Sequence, residues 1–386
     1  MSLIYEVFIQ LIKMRRVPLF ILLSTISIVS FFTACKPKQD MPVEPAPVEG
    51  KGTAVVITGA AAKITQESAL LETLYKEGRL NDVVFISGAS SGALNSIILN
   101  GVLSGKYSWE RYHHLVDSLT NADVFRQEGH KIPVDTDPMR QFLKRIVNDT
   151  LGFYKMSDLP FPTSISIVSL RPVPDNDRTY RMSNLKINSE SDPDLDIVDV
   201  LMASIAFPIA FPPVTITNAT TIPRGSFMDG GIGSDHIPYR AVLDYERYTG
   251  KPVKEMLVIS RKTDTIPNLA EELSMLGVDR GQLLDKMGVS LEDLTEDGFL
   301  RNYHVLQKNY PELAAKTLVY VPDFKDVFLM FNFNSLNDQY QTTLIWAKNH
   351  KPVPLNEYLA RKDAEKVTLT ERLRDSLIRR DIIKTE

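Results

Sequence analysis

One stretch decides the fold of this sequence, and it reads Phe85-Ile86-Ser87-Gly88-Ala89-Ser90-Ser91-Gly92-Ala93-Leu94-Asn95-Ser96. The apolar run that ends at Ile86 is mostly β-branched or aromatic, which predicts a short buried strand. Apolar residues at helical spacing begin at Ala93 and predict a helix directly afterwards. Gly88 and Gly92 flank Ser90, and glycines at these positions relieve the backbone crowding of a sharp strand-to-helix turn. The stretch therefore predicts an α/β arrangement with Ser90 exposed on a tight elbow.

Ser90 is the candidate nucleophile of this elbow. Its hydroxyl is expected at a helix N-terminus, where the helix dipole and free N–H groups favour developing negative charge. An ordinary Gly/Ser loop that caps a helix would show the same five-residue pattern. The strand and the helix on either side favour the nucleophile elbow over that alternative.

The segments before the elbow indicate a parallel sheet. Residues 53–58 have the pattern of a strand, 59–63 form a small-residue turn, and 64–78 have helical spacing. Strand, turn, helix and strand in this order predict an α/β layer architecture. An α/β-hydrolase would place several strands before its elbow and a histidine after a later strand. Here one strand precedes the elbow strand, and His304 and His350 follow no strand end, which argues against that fold.

Four segments, in order, resemble the patatin-like phospholipases. They are Gly59-Ala60-Ala61-Ala62-Lys63, the elbow Gly88 to Asn95, the segment Ala203 to Val214 with its Phe-Pro-Pro end, and Met228-Asp229-Gly230-Gly231. The resemblance implies a three-layer α/β/α fold with a central, mostly parallel sheet, carried by a hydrolase domain over residues 52–350. Residues 266–312 are charged and rich in helix-forming residues, which indicates a helical cap region.

The resemblance also implies a serine carboxylic-ester hydrolase of the phospholipase A, lysophospholipase or esterase type, without cofactor or metal. Asp229 would take the proton of Ser90 directly, and Ser90 would attack the ester carbonyl to form an acyl-enzyme. Backbone N–H groups of the loop Gly59, Ala60 and Ala61 would stabilise the oxyanion. The Asp229 carboxylate is then expected within about 2.6–3.2 Å of the Ser90 hydroxyl. A purely structural Asx-turn is the alternative for an Asp-Gly pair.

The loop after the first strand departs from the family pattern Gly-Gly-Gly-x-Arg-Gly. Alanines follow Gly59, Lys63 stands where Arg is usual, and Ile64 stands where the last glycine is usual. A left-handed backbone costs a non-glycine residue about 1–2 kcal/mol, so we expect a reshaped oxyanion hole. A plain strand-to-helix turn is the alternative for this loop. For the whole chain, the alternative is a catalytically weak, membrane-tethered lipoprotein that binds lipid or a partner on the same scaffold.

The N-terminal residues resemble a bacterial lipoprotein signal. A basic pair at Arg15 and Arg16 precedes an apolar run over 17–32, and small residues lead to Cys35. Residues 1–35 are therefore predicted to be a signal peptide with Cys35 as the lipidated residue, and an uncleaved anchor is the alternative. Residues 36–51 are proline-rich and predict an extended tether. These features predict a membrane-anchored protein of the bacterial cell envelope, periplasmic or facing the surface.

Composition limits the remaining possibilities. The net charge of −4 gives no electrostatic reason to bind nucleic acid. A single cysteine excludes an intrachain disulfide. The expected partners are a lipid or ester substrate and a membrane. Residues 351–386 are predicted to be a charged C-terminal tail that contains a peripheral amphipathic helix over 369–383.

Overall fold

The structure is a computed structural model that describes residues 51–170, 178–279, 281, 283, 285 and 290–379. Residues 49–386 form one compact unit. The predicted signal peptide, the lipidation site Cys35 and nearly all of the tether lie outside the described residues, and they stay predictions.

One sheet occupies the middle of this unit. Its strands within the described residues are β1 (Thr53–Ile57), β2 (Val83–Ala89), β3 (Thr163–Ser169), β4 (Thr179–Ser183), β5 (Val214–Ile216), β6 (Gly225–Asp229), β7 (Glu255–Ile259), β8 (Thr317–Tyr320) and β9 (Val353–Pro354). The order along the sheet is β5-β6-β3-β2-β1-β7-β8-β9, and β4 pairs with β3. Strands β3, β2, β1, β7 and β8 are parallel, whereas β4, β5, β6 and β9 add antiparallel pairings at the two sides.

Helices connect the strands. The described ones are α1 (Ile64–Lys76), α2 (Ser91–Leu103), α3 (Trp109–Ser118), α4 (Asn121–Val124), α5 (Asp137–Leu143), α6 (Ile197–Ser204), α7 (Arg240–Thr249), α8 (Ile266–Met275), α9 (Glu296–Asn309), α10 (Pro311–Ala315), α11 (Leu336–Ala347) and α12 (Leu355–Arg379). Helix α6 begins where the Asp196 side chain accepts from the N–H groups of Val198 and Asp199. Helix α7 ends at Gly250, whose φ of 66° is the left-handed conformation that glycine adopts without strain.

The sheet is covered by helices on both faces. Residues of β1 alternate between the two apolar cores: Val55 and Ile57 pack with α1, α2, α6 and α11, whereas Ala54 and Val56 pack with α7, α9 and α12. Every residue of β1 is buried, as expected for a central strand of a parallel sheet with two covered faces. The predicted three-layer α/β/α fold is therefore confirmed.

The predicted cap over residues 266–312 divides into two parts. Helix α8 and Leu294 pack against Phe207, Phe211 and Met330 in a third apolar cluster. Helix α9 instead buries one face, including Phe299, in the core with α7 and α12. The composition of residues 266–312 predicted one cap, but the buried apolar face of α9 places this helix in an outer layer of the fold.

The C-terminal helix begins earlier than the sequence predicts. Strand β9 pairs with β8, and α12 follows directly with Leu355, Tyr358 and Leu359 buried in the core beside α7 and α9. Leu369 and Leu373, around which the helix was predicted, are 68% and 58% exposed. Among the side chains that the structure describes in this helix, the buried apolar ones lie in its first turns. In the part of the chain that the structure describes, no helix is long and apolar enough to cross a membrane.

Candidate active site

The elbow holds Ser90 in a strained backbone conformation. Ser90 joins β2 to α2 with φ 56° and ψ −133°, a region that a non-glycine residue occupies only when its surroundings impose it. The Ser90 N–H donates to the Ser204 hydroxyl at 3.0 Å, and that hydroxyl donates to the Ser166 carbonyl at 2.7 Å. Ser204 therefore links the elbow to β3, a role that the sequence did not reveal.

Close backbone contacts explain the glycines around the elbow. A Cβ on Gly88 would lie 2.3 Å from the Gly92 carbonyl oxygen, and one on Gly92 would lie 2.2 Å from the Thr58 carbonyl oxygen. A Cβ on Gly230 would lie 1.9 Å from the Ser166 carbonyl oxygen. Because these contacts involve backbone atoms, no side-chain movement would relieve them. The three glycines let β1, β2 and β3 approach the segments that carry the serine and the aspartate.

Ser90 and Asp229 form a direct hydrogen bond. The Ser90 hydroxyl donates to Asp229 Oδ2 at 2.7 Å, within the range expected from the sequence. Asp229 ends β6, and the antiparallel pairing of β6 with β3 opposes it to Ile167. Its other oxygen, Oδ1, accepts the Gly231 N–H at 2.7 Å. The Asx contact that the sequence offered as an alternative therefore coexists with the serine contact, because each uses a different oxygen.

Burial changes the acidity of this carboxylate. Asp229 is 3% exposed, and burial raises its pKa to about 6, although the hydrogen bonds from Ser90 and Gly231 oppose the rise. The carboxylate is thus mostly ionised at neutral pH, yet it is a stronger base than an exposed aspartate. Such a pKa suits a general base that accepts a serine proton.

The loop after β1 differs from the predicted oxyanion hole at one residue. A Cβ on Gly59 would lie 2.8 Å from the Ser90 Cβ, so the loop passes close to the elbow. The Ala60 N–H donates to the Ser91 hydroxyl at 2.7 Å, so one of the donors predicted in this loop is already occupied. Ala61 has a left-handed φ of 45°, and its N–H has no acceptor among the described residues. Among the described residues, the Ala60 N–H therefore has a protein acceptor and the Ala61 N–H has none.

A buried ion pair fixes the far end of this loop. Lys63, in the position where the family has arginine, is 2% exposed, and its Nζ lies 2.5 Å from Asp264 Oδ1. The same ammonium donates to the Lys262 carbonyl at 3.1 Å. Lys63 therefore ties the loop to the segment after β7. Its partner is 201 residues away in sequence, so no local pattern could have predicted the pair.

An apolar cavity opens at the serine and the aspartate. Its wall includes Gly59, Ala60 and Ala61, and apolar side chains from several helices and loops, among them Ile98, Val116, Met139, Phe142, Phe207 and Phe331. Its polar wall residues include Asn95, His236 and Arg261. Burial lowers the pKa of His236 to about 4, so this imidazole is neutral at pH 7. Among the described residues, no histidine nitrogen hydrogen-bonds to Ser90 or Asp229.

The fold and the family comparison together indicate the class of protein. The structure has three α/β/α layers, and its serine elbow lies at the carboxyl edge of the parallel strands. Residues 55–243 match the family model described as patatin-like phospholipase, and they form a patatin-like phospholipase domain. The resemblance seen in the four sequence segments is thereby confirmed, and the family is one of lipid hydrolases.

Three solved structures that are similar to this chain share little sequence with it. VipD from Legionella pneumophila is 12% identical with a TM-score of 0.40, over 78% of this chain and 68% of VipD. The type III effector ExoU is 11% identical with a TM-score of 0.31, over 82% of this chain and 53% of ExoU. In the ExoU–SpcU complex of Pseudomonas aeruginosa the identity is 12%, the TM-score 0.33, and the coverage 86% and 61%. No curated protein matches the sequence.

Proposed function

We propose that this protein is a lipid acyl hydrolase that cleaves carboxylic esters through an acyl-enzyme on Ser90. The observation that carries the proposal is the 2.7 Å hydrogen bond from the Ser90 hydroxyl to Asp229, at the wall of an apolar cavity. The patatin-like phospholipase domain supports a lipid substrate. Apolar wall residues such as Ile98, Val116 and Phe142 suit an acyl chain, because its burial is favourable there.

The reaction would proceed in two halves. Asp229 accepts the Ser90 proton while the serine oxygen bonds to the ester carbonyl carbon, and the carbonyl oxygen takes the negative charge. The Ala61 N–H and the N-terminus of α2 stabilise this oxyanion. When the carbonyl re-forms, the bond to the alcohol oxygen breaks and Asp229 returns its proton to the leaving group. In the second half Asp229 takes a proton from a water molecule whose oxygen attacks the acyl carbon. When the bond to the Ser90 oxygen breaks, the fatty acid leaves and Asp229 returns the proton to Ser90.

Fluorophosphonate labelling tests the activated serine without knowledge of the substrate. Wild-type protein should be labelled on Ser90, as identified by peptide mass spectrometry, and Ser90→Ala should not be labelled. Asp229→Asn should be labelled far more slowly, because its amide cannot take the proton. Ser96→Ala is the matched control: Ser96 is a buried serine of α2 whose hydroxyl only donates to the Gly92 carbonyl, so it should be labelled like wild type. A Ser90→Ala protein that is still labelled at the wild-type rate would refute the assignment.

One contact favours the second candidate, a catalytically weak lipid-binding protein on the same scaffold. The hydrogen bond from the Ala60 N–H to the Ser91 hydroxyl removes a donor from the oxyanion hole. Loss of one such donor costs a serine hydrolase on the order of a hundredfold in turnover. This candidate predicts that wild-type protein binds lipid but is neither labelled at Ser90 nor active on a broad panel of esters.

The cellular location is a separate part of the proposal. We propose that Cys35 is lipidated and that residues 36–51 tether the hydrolase to a membrane of the bacterial cell envelope, periplasmic or facing the surface. The small residues before Cys35 and the proline-rich segment after it support this proposal. Mass spectrometry of the mature N-terminus should find an acylated Cys35, and a mature chain that still begins before residue 35 would contradict it.

A further inference from the structure

Arg261 is a buried cation that has no step in the hydrolysis proposed for Ser90. It lies just beyond the carboxyl end of β7, the edge of the sheet at which ligands bind in α/β folds. Arg261 is 2% exposed and forms part of the wall of the cavity that contains Ser90 and Asp229. Its guanidinium carbon lies 4.7 Å from the ring centre of Phe299. The aromatic ring covers one face of the cation, and the cavity lies beside it.

The guanidinium has hydrogen-bond donors without protein acceptors. Its Nε and Nη1 are buried, and neither has a hydrogen-bond partner among the described residues. Two other buried cations each have a carboxylate partner: Lys63 pairs with Asp264 at 2.5 Å, and Arg181 pairs with Asp235 at 2.8 Å. Buried donors of a charged group are costly to leave unsatisfied, so an acceptor is expected to reach Arg261 from the cavity.

The carboxylates near Arg261 favour its charged form without pairing with it. Burial lowers the pKa of Arg261, and the nearby carboxyl groups of Glu67, Asp264 and Asp229 oppose this shift. None of the three forms an ion pair with Arg261 among the described residues. Burial raises the pKa of Glu67 to about 8, so this group is largely uncharged at neutral pH. Asp264 is held by Lys63 through Oδ1, and its Oδ2 is buried without a hydrogen-bond partner among the described residues. Asp229 would lose its charge each time it takes the Ser90 proton, and the positive charge of Arg261 would then face the cavity uncompensated.

We infer that Arg261 binds the phosphodiester group of a phospholipid substrate, through its Nε and Nη1 donors, while Ser90 attacks the ester. This inference rests on the proposed function and names its substrate class. Guanidinium groups match phosphate oxygens in charge and geometry, and they tolerate burial better than ammonium groups because they are less strongly hydrated. A lipid that presents an acyl chain to apolar walls and an anion to a buried arginine is a phospholipid, whereas a neutral glyceride would leave the cation unpaired.

A binding experiment tests Arg261 without catalysis. In the full-length Ser90→Ala protein, calorimetry compares a short-chain phosphatidylcholine, a diacylglycerol with the same acyl chains, and inorganic phosphate. The phospholipid should bind at least about tenfold more tightly than the diacylglycerol, and adding Arg261→Met should weaken phospholipid binding by about ten- to a hundredfold. Diacylglycerol binding should stay within about threefold, since it makes no charged contact. Equal effects on both lipids, or phosphate binding without a preference for the phospholipid, would overturn the inference.

Hydrolysis with an intact Ser90 gives a second readout, taken at pH 8 so that any effect of Arg261 on the ionisation of Asp229 is small. Arg261→Met should lower kcat/KM for phosphatidylcholine by about ten- to a hundredfold and leave diacylglycerol hydrolysis nearly unchanged. Arg261→Lys keeps the positive charge and therefore controls for a folding defect caused by its loss. This variant should retain part of the activity on phosphatidylcholine. Arg79→Met is the control, because Arg79 pairs with Glu255 at the start of β7, away from the cavity.

The hydrolase proposal for Ser90 and the phosphate-binding proposal for Arg261 can be refuted independently of each other. Persistent fluorophosphonate labelling of Ser90 in Arg261→Met, with the same loss on both lipids, would remove the phosphate assignment and leave the hydrolase standing. An unlabelled wild-type protein that still prefers phosphatidylcholine in the binding assay would remove the hydrolase and leave the phosphate site standing.

Discussion

Replacing Asp229 by asparagine should abolish catalysis and at the same time stabilise the protein at neutral pH. Burial raises the pKa of Asp229 from its ordinary value of 3.8 to about 6. Each pKa unit corresponds to about 1.4 kcal/mol, so the ionised carboxylate lowers the free energy of unfolding by about 3 kcal/mol. Asparagine keeps the size of the side chain and an oxygen for the Gly231 N–H, but it carries no charge.

The pH dependence of this effect has a defined sign. Below about pH 4 the carboxyl group is protonated in the folded and the unfolded chain, so the ionisation of Asp229 contributes no difference between wild type and Asp229→Asn. Between about pH 4 and pH 6 the unfolded chain loses the proton first, and the wild-type protein loses stability relative to the variant. Above about pH 6 both states are ionised, and the difference should remain constant at its full value.

Urea unfolding at several pH values between 4 and 8 measures the stability difference, with the fluorescence of Trp109 and Trp346 as the signal. In parallel, kcat/KM of wild type for a soluble ester should fall about tenfold per pH unit below about pH 6, because the base becomes protonated. Ser90→Ala is the control: it should lose hydrolysis but keep the pH-dependent loss of stability. Stability curves of wild type and Asp229→Asn that stay parallel from pH 4 to pH 8 would refute the reasoning.

Three further changes test the elbow, the buried ion pair and the lipidation site. Gly92→Ala should lower the free energy of unfolding by about 3 kcal/mol or more, because its Cβ would lie 2.2 Å from a backbone oxygen. Gly105→Ala is the control: a Cβ there would have no heavy atom within 4 Å, so the change should lower the free energy of unfolding by only about 1–2 kcal/mol, the cost of its left-handed φ. Lys63→Met should cost about 3–5 kcal/mol in urea unfolding by leaving Asp264 buried and unpaired, and the double change with Asp264→Leu should recover most of it. Cys35→Ala should accumulate as unprocessed precursor on immunoblots of cell extracts, and normal processing would contradict the lipoprotein prediction.

The serine elbow is the part of the site that the sequence predicted most fully. Its strand, two glycines and helix are contiguous, so the steric reason for the pattern acts within a few residues. The role of Asp229 was predicted from the resemblance of its segment to the family pattern. Its raised pKa depends on burial, which only the structure shows. The distance between the two side chains depends on the pairing of β6 with β3, which joins segments far apart in the chain.

The helix boundaries and the cap show where local patterns fail. The charged, helix-rich composition of residues 266–312 suggested a cap, yet Phe299 and its neighbours bury α9 in the core beside the sheet. The amphipathic pattern over 369–383 led to a helix placed too late, since Leu355 and Leu359 supply the buried contact. Periodicity indicates that a segment has an apolar face, but it does not identify the surface on which that face packs.

The sequence by itself determined the α/β class, the elbow around Ser90 and the family, because these follow from local sterics and from short ordered segments. Only the tertiary structure decided which donors remain open in the loop, since the Ser91 hydroxyl reaches Ala60 across the elbow. It also placed Arg261 in the same cavity as Ser90, although 171 residues separate them. Burial, ion pairing and unpaired donors are properties of all neighbours in space, and a linear pattern contains only the neighbours in sequence.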